Sequence, residues 1–182
     1  MTPISADAAT KFCEVCNWAY ESWVTHKLLF DENDLPESNI GKVPYFTHRL
    51  ATITQEYCLQ QIAKLHDPAV QSNLLNLTID YMVRYGDWGE RKEEVERLQA
   101  TLLDLWNRLK PARNKILAHN DLMTLMSDTA LGEFPKGLDD EYFVTLQAFV
   151  NEVYDNWVGG PWPFNDLAKA DVREFLALLD RA

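Results

Sequence analysis

The stretch ERKEEVERLQATLLDLWNRL, residues 90–109, decides the fold. Its apolar side chains recur every three or four positions, at Val95, Leu98, Leu102, Leu105, Trp106 and Leu109. This spacing places them along one side of an α-helix. The charges of residues 90–97 mix signs and fit a solvated face, with Glu paired to Lys or Arg three or four positions away. The stretch therefore predicts an amphipathic helix that packs against other helices.

The remainder of the chain shows the same helical periodicity and no convincing strand. Further helices are predicted over about 5–30, 43–66, 70–85, 139–158 and 165–179; residues 112–123 are helical by propensity, and a loop covers 124–137. Pro111 either begins a new helix or kinks the preceding one. The expected fold is all-α, an antiparallel bundle of five to six helices. Residues 1–182 would form a single domain, with a core over about 5–158 and a tail helix over 165–179.

The apolar faces of the first three helices follow from the same spacing. In the first helix the inward residues would include Phe12, Cys16 and Trp23, and Ser5 would cap its N-terminus. The second helix would bury a stripe formed by Phe46, Leu50, Ile53, Tyr57 and Ile62. The third helix would bury Leu74, Leu77, Met82 and Val83. Asp67-Pro68 and Gly159-Gly160-Pro161 supply helix stops.

Composition favours a folded domain in the cytoplasm. Of the 182 residues, 47 % are hydrophobic, which suffices for one substantial core. The net charge of −11 works against unaided binding to a polyanion, and no basic patch stands out. No apolar run approaches the roughly 20 residues of a membrane span, and no secretory signal is visible at the N-terminus. We therefore expect no membrane association.

Three cysteines and four histidines raise the question of metal or redox chemistry. Cys13 and Cys16 form a C-x-x-C pair, but no second pair completes the roughly four ligands of a zinc site, and no strand precedes the pair as in redox proteins. The favoured interpretation places both on the inner face of a helix, with Phe12 and Ala19. His26, His48 and His66 are scattered singly. We expect neither a metal site nor a cofactor.

Residues 113–121, RNKILAHND, contain the side chains most suited to catalysis. Arg113 is a permanent cation whose planar fork suits phosphate oxygens, and His119 can exchange a proton near neutral pH. These two groups are the minimum for cleaving RNA without a metal, by attack of the 2′-hydroxyl on the neighbouring phosphorus. A structural alternative stays open. His119 could be favoured by a helix C-terminus, and Asn120-Asp121 could be a polar helix stop.

Helix geometry constrains this pair. Six residues of helix turn through about 600°, which leaves Arg113 and His119 about 120° apart around the axis. One regular helix therefore does not aim both side chains at one phosphate. Either the helix is distorted, or a second copy of the chain completes the site, because a two-fold dimer pairs the same patch with itself.

The spacing Arg113-Asn114, four residues, then His119 resembles the R-polar-x-x-x-x-H signature of the HEPN superfamily. The fuller stretch from Arg113 to Asp121 is most similar to the abortive-infection AbiU branch. Leu65-His66-Asp67-Pro68 and Asn76-Leu77-Thr78 are similar to that branch as well, and the likeness spans about residues 19–153.

The resemblance implies a helical bundle that dimerises through its signature helices and cleaves RNA without a metal, as a toxin or antiphage effector. It implies that Arg113 holds the scissile phosphate, that His119 transfers protons and that Asn114 orients the site. Lys115, Asn120 and Asp121 would lie at the periphery. The implied partners are a second copy of the chain, an RNA substrate and a cognate antitoxin protein.

A second hypothesis is a non-catalytic helical binding module, in which the signature helix is a dimer seam or a docking site. The net charge of −11 favours it, as do the tryptophans near the C-terminus, Trp157 and Trp162. A basic cleft around Arg113 and Lys115 would favour the nuclease instead.

Overall fold

The structure is a computed structural model that describes residues 4–33, 38–117 and 137–181, with only the main chain for 112–117. Its α-helices are α1 (Ala6–His26), α2 (Pro44–Leu65), α3 (Ile79–Tyr85), α4 (Lys92–Leu117), α5 (Leu138–Trp157) and α6 (Leu167–Leu179). Two two-residue strands, β1 (Val70–Gln71) and β2 (Leu74–Leu75), pair antiparallel. Within this described part, no helix has the length and apolar character to cross a membrane. The all-α prediction is confirmed.

The chain divides into two compact units. The first unit comprises Met1–Cys16 and Ile62–Pro163, and the second comprises Asn17–Gln61 and Phe164–Ala182. The first unit therefore contains α3, α4 and α5, whereas the second contains most of α2 and all of α6. That residues 1–182 form one domain stays a prediction.

In the first unit, α4 and α5 pack side by side in opposite directions. Arg91, just before α4, pairs with Glu152 and Asp155 near the end of α5, which fixes this antiparallel arrangement. Every residue of the predicted α4 stripe is buried, with Val95, Leu102 and Leu109 fully so. The α5 side contributes Phe149, Val150 and other apolar residues to the same core. The helix predicted from the opening stretch is confirmed.

The prediction of one helix over residues 70–85 is wrong. Residues 70–75 form the β1–β2 hairpin instead, and its central residues Ser72 and Asn73 have φ angles of 50° and 66°. A two-residue hairpin turn with positive φ at both centres cannot continue a right-handed helix. Only α3 is helical here, and its N-cap is Thr78, whose hydroxyl accepts a hydrogen bond from the Tyr81 amide. Leu74, expected inside, is 69 % exposed.

The second unit corrects the predicted apolar face of α2. Phe46, Ile53 and Tyr57 are exposed, whereas Cys58 and Leu59 are buried. The periodicity misled because α2 carries apolar residues on more than one side, so spacing alone does not choose which side packs. The core that does form in this unit contains Leu29, Phe30, Ile40 and Val172, and Leu50 packs partly against it.

The predicted helix ends agree with the structure at several points. The Ser5 hydroxyl accepts a hydrogen bond from the Ala8 amide, as an N-cap does. Gly159 and Gly160 follow α5 with φ angles of 108° and 82°, a conformation that glycine adopts at little cost. α4 continues through Pro111 to Leu117, so the alternative in which Pro111 begins a separate helix is wrong.

Candidate functional site

The signature begins on the last turns of α4. The helix carries Arg113, Asn114 and Lys115, and it ends at Leu117. At 1.5 Å per residue, Arg113 lies about 6 Å before that end along the axis. His119, Asn120 and Asp121 lie outside the described residues. The structure thus places half of the predicted site on a helix, and the composite site at a dimer interface stays a prediction.

A largely buried aromatic cluster contacts α4 seven residues before Arg113. The ring of His66 stacks on Trp106, with centroids 5.3 Å apart and planes 6° from parallel. Its Nε2 lies 2.9 Å from the hydroxyl oxygen of Tyr142, which is fully buried on α5. The cluster connects the end of α2 to α4 and α5 within the first unit. Sequence periodicity gave no sign of it, although His66 stands in the quoted Leu-His-Asp-Pro stretch.

Burial sets the charge of His66. Desolvation lowers the pKa of the imidazole from 6.5 to about 3, because the cationic form loses its hydration inside the unit. The ring is therefore neutral at physiological pH and can share a hydrogen bond with Tyr142. It therefore does not exchange protons near pH 7.

The pKa of His66 predicts a pH-dependent stability. The unfolded chain binds this proton near pH 6.5 and the folded chain only near pH 3, so stabilisation is complete above pH 6.5 and is lost as the pH falls. At pH 5 the loss from this group alone is about 2 kcal/mol. Urea unfolding of the wild type and His66→Gln at pH 7.5 and pH 5 measures it. The variant is expected to lose less stability than the wild type.

The matched control for this measurement is His48→Gln, because His48 is exposed on α2. We expect its pH dependence to follow that of the wild type. If the free energy of unfolding changes equally in the wild type and in His66→Gln between pH 7.5 and pH 5, the assignment of a neutral, largely buried His66 is contradicted.

Charge is segregated along α4 and the residues that follow it. Residues 105–120 contain Arg108, Lys110, Arg113 and Lys115 but no Asp or Glu, in a chain of net charge −11. The start of the helix mixes signs instead, because Glu94 pairs with Arg97 and Glu96 lies 3.8 Å from Lys92. Arg108 and Lys110 are exposed. A search for a dense basic run misses this pattern, because the cations are two or three positions apart. The order of charges along the helix is the signal that reveals it.

At the opposite end of α4, the cation just before the helix is paired with carboxylates. The Arg91 guanidinium donates to Glu152 at 3.0 Å and contacts Asp155, and these hydrogen bonds raise the pKa of Arg91. The Gly160 amide and Arg91 together lower the pKa of Asp155. Both carboxylates thus already neutralise this cation. Arg108 and Lys110, which are exposed, lie toward the signature.

The C-x-x-C pair is structural. Cys13 and Cys16 are fully buried, and burial raises the pKa of Cys13 to about 12 and that of Cys16 well above its usual range. The Cys13 thiol faces the carbonyl of Val150 at 3.9 Å. Thiols in this state are poor nucleophiles and poor metal ligands. Over residues 4–33, 38–117 and 137–181, no group of three His, Cys, Asp or Glu side chains could hold a metal ion.

Comparison with known families gives a match over almost the whole length. The family model described as AbiU2, a HEPN-type family, covers residues 7–178. No curated protein and no solved structure matches the chain. The match spans α1 to α6 and includes both the basic end of α4 and the His66 cluster. The chain therefore belongs to the AbiU2 family of the HEPN superfamily.

Proposed function

We propose that this protein is a metal-independent endoribonuclease that acts in phage defence or in a toxin–antitoxin system. One observation supports the proposal: a member of the AbiU2 family carries a complete Arg-Asn-x-x-x-x-His signature, Arg113 to His119, which begins on the last turns of α4. The active site is shared between two copies of the chain. We place the enzyme in the cytoplasm as a single domain of residues 1–182, with a cognate antitoxin protein as its partner.

The chemistry needs a base, an acid and a cation. The 2′-hydroxyl of the RNA attacks the adjacent phosphorus while an imidazole removes its proton, and a P–O bond forms. The bond from phosphorus to the 5′-oxygen breaks, and that oxygen takes a proton from an imidazolium. The products are a 2′,3′-cyclic phosphate and a 5′-hydroxyl. In this scheme His119 is the proton-transfer group, and Arg113 offsets charge on the non-bridging oxygens.

The other signature residues have supporting roles in this proposal. Asn114 orients Arg113 and the phosphate, whereas Lys115, Asn120 and Asp121 lie at the edge of the site. The acid-free stretch over residues 105–120 supports RNA binding despite the net charge of −11, because a local row of cations attracts a phosphate backbone.

The test is cleavage of RNA in the presence of a chelator. The purified protein is incubated with total RNA and with defined stem-loop RNAs, with and without EDTA, and the product ends are mapped. We expect equal cleavage in both conditions, with 2′,3′-cyclic phosphate and 5′-hydroxyl ends. Products with 3′-hydroxyl ends, or activity that EDTA removes, would contradict the mechanism.

A non-catalytic binding module is the alternative function. The acidic balance of the chain and an exposed apolar groove in the second unit favour it. This alternative predicts a protein that binds its partner and leaves every RNA intact over the same incubation. The chelator experiment therefore distinguishes the two functions directly.

A further inference from the structure

The second unit contains an open groove between three helices. Its volume is about 540 Å³, and α1, α2 and α6 each form one wall. The residues that matter here are Trp18, Glu21, Ile53, Tyr57, Asp171 and Val172. We call this feature the α1–α2–α6 groove. Its volume falls in the range of roughly 300–1,000 Å³ that is typical of binding sites.

The walls of the groove are aromatic and aliphatic, yet they face solvent. Trp18 is 53 % exposed, Ile53 is 55 % exposed and Tyr57 is 41 % exposed. The Trp18 indole N–H donates to the Tyr57 hydroxyl at 2.8 Å, which fixes both rings at the edge of the groove. Ile53 and Tyr57 belong to the side of α2 that the sequence wrongly assigned to the core. Large apolar side chains grouped on a surface are typical of interaction sites.

The shape of the groove fits a helix. Trp18, Ser22 and Thr25 line it from α1, at the spacing of one helix face. Ala168, Asp171 and Val172 do so from α6. The α1 wall therefore runs for about 10 Å, or two helical turns. Walls of this kind accept the ridge of side chains of another helix.

The negative charge of the groove favours an occupant that carries positive charge. Glu21 and Asp171 bring carboxylates to it, and among its described lining residues none is Lys or Arg. Glu21 is held in place because its Oε1 accepts from Asn17 at 3.0 Å and from Asn165 at 2.7 Å. An apolar occupant that also carries a cation would gain both burial and charge complementarity.

We propose that the α1–α2–α6 groove is a docking site for a basic amphipathic helix of a partner protein. Large apolar side chains of that helix pack between Ile53, Tyr57 and Val172. A flanking Lys or Arg lies beside Asp171 and Glu21. This site is separate from the signature on α4, and the proposal does not rest on RNA cleavage.

The test uses model peptides as probes. One is an 18-residue helix of Leu and Lys with Leu along one face, and the other keeps the Leu positions but has Gln in place of Lys. Binding of each labelled peptide to the full chain is measured by fluorescence anisotropy in 150 mM NaCl. We expect the Lys peptide to bind about tenfold more tightly than the Gln peptide. Equal affinities would overturn the charge selection.

Single substitutions test whether the peptide binds in the α1–α2–α6 groove. Ile53→Asp is expected to weaken binding of the Lys peptide about tenfold, and Asp171→Lys to weaken it about fivefold. The matched controls are Val144→Asp and Glu93→Lys, both exposed in the first unit, and these are expected to change affinity less than about twofold. Circular dichroism checks that each variant is folded. Because Asp171 is exposed on α6, its variant tests the site even where Ile53→Asp fails to fold.

Two results would overturn the proposal. If Glu93→Lys weakens binding as much as Asp171→Lys, the peptide recognises only the overall negative charge. If sedimentation shows that the chain self-associates and that Ile53→Asp abolishes this, a second copy occupies the groove. Neither result depends on nuclease activity.

Discussion

Replacing His119 by alanine is expected to lower the rate of RNA cleavage by about 10³-fold, because proton transfer in both directions passes through its imidazole. Arg113→Ala is expected to lower it by about 10²- to 10³-fold, through loss of charge stabilisation at phosphorus. The double variant should be scarcely slower than His119→Ala, since groups that act as a unit are not additive. Single-turnover cleavage of a defined RNA measures all three rates.

The controls replace the same residue types elsewhere. His48 is exposed on α2 and Arg84 is exposed on α3, so His48→Ala and Arg84→Ala should leave the rate within about twofold. Cleavage that persists in the double variant Arg113→Ala, His119→Ala would reject the assignment of the site.

Mixing the two single variants tests whether two chains share the site. If Arg113 of one copy acts with His119 of the other, a heterodimer of Arg113→Ala and His119→Ala retains one intact site out of two. Random exchange of subunits makes half of the dimers heterodimers, so about a quarter of wild-type activity should return. A mixture as inactive as its components would show that each site lies within one chain.

Phe149→Ala is expected to destabilise the protein by about 3–5 kcal/mol, which is the largest stability effect we predict. Phe149 is fully buried on α5, and its ring centroid lies 5.9 Å from that of Phe12 and 6.4 Å from that of Trp88. Alanine would remove these contacts and leave a cavity in the core of the first unit. Urea unfolding at pH 7.5 measures the change in the free energy of unfolding.

The matched control lies on the same helix. Val144 is 72 % exposed, so Val144→Ala should change the free energy of unfolding by less than about 0.5 kcal/mol. A loss below about 1 kcal/mol for Phe149→Ala would mean that the core around α5 is packed more loosely than the structure describes.

The sequence was most informative where one face of a helix is much more apolar than the other. α4 is such a helix, and its six predicted inward residues are all buried. α2 is not, because Phe46, Ile53 and Tyr57 lie on one side and Cys58 and Leu59 on another. Periodicity predicts that a helix forms. Which apolar side of that helix is buried depends on the elements that pack against it.

Local turn chemistry accounts for the error at residues 70–85. Ser72 and Asn73 adopt positive φ, and Asn does so more readily than most residues. Neither is glycine, the residue that most clearly signals such a turn. The neighbouring apolar residues fit a helical spacing, and the sequence therefore predicted a helix in place of the hairpin.

The assignment of Arg113 and His119 to a catalytic site rests on the family resemblance and stays a prediction. The structure continues α4 as far as Leu117, which confirms the helical setting of Arg113 and no more. The His66 cluster was unpredictable in physical terms. A ring stacked 5.3 Å from Trp106 joins residues 40 positions apart, and no local pattern encodes that contact.

The burial of every thiol makes site-specific labelling straightforward. Cys13, Cys16 and Cys58 are each no more than 1 % exposed, so a maleimide dye or nitroxide added to the folded protein has no native target on its surface. A cysteine introduced at exposed Arg108 would then carry the only reactive probe on each chain. Two such probes in a dimer would report the separation of the two signature helices by dipolar spectroscopy, with the native cysteines left in place.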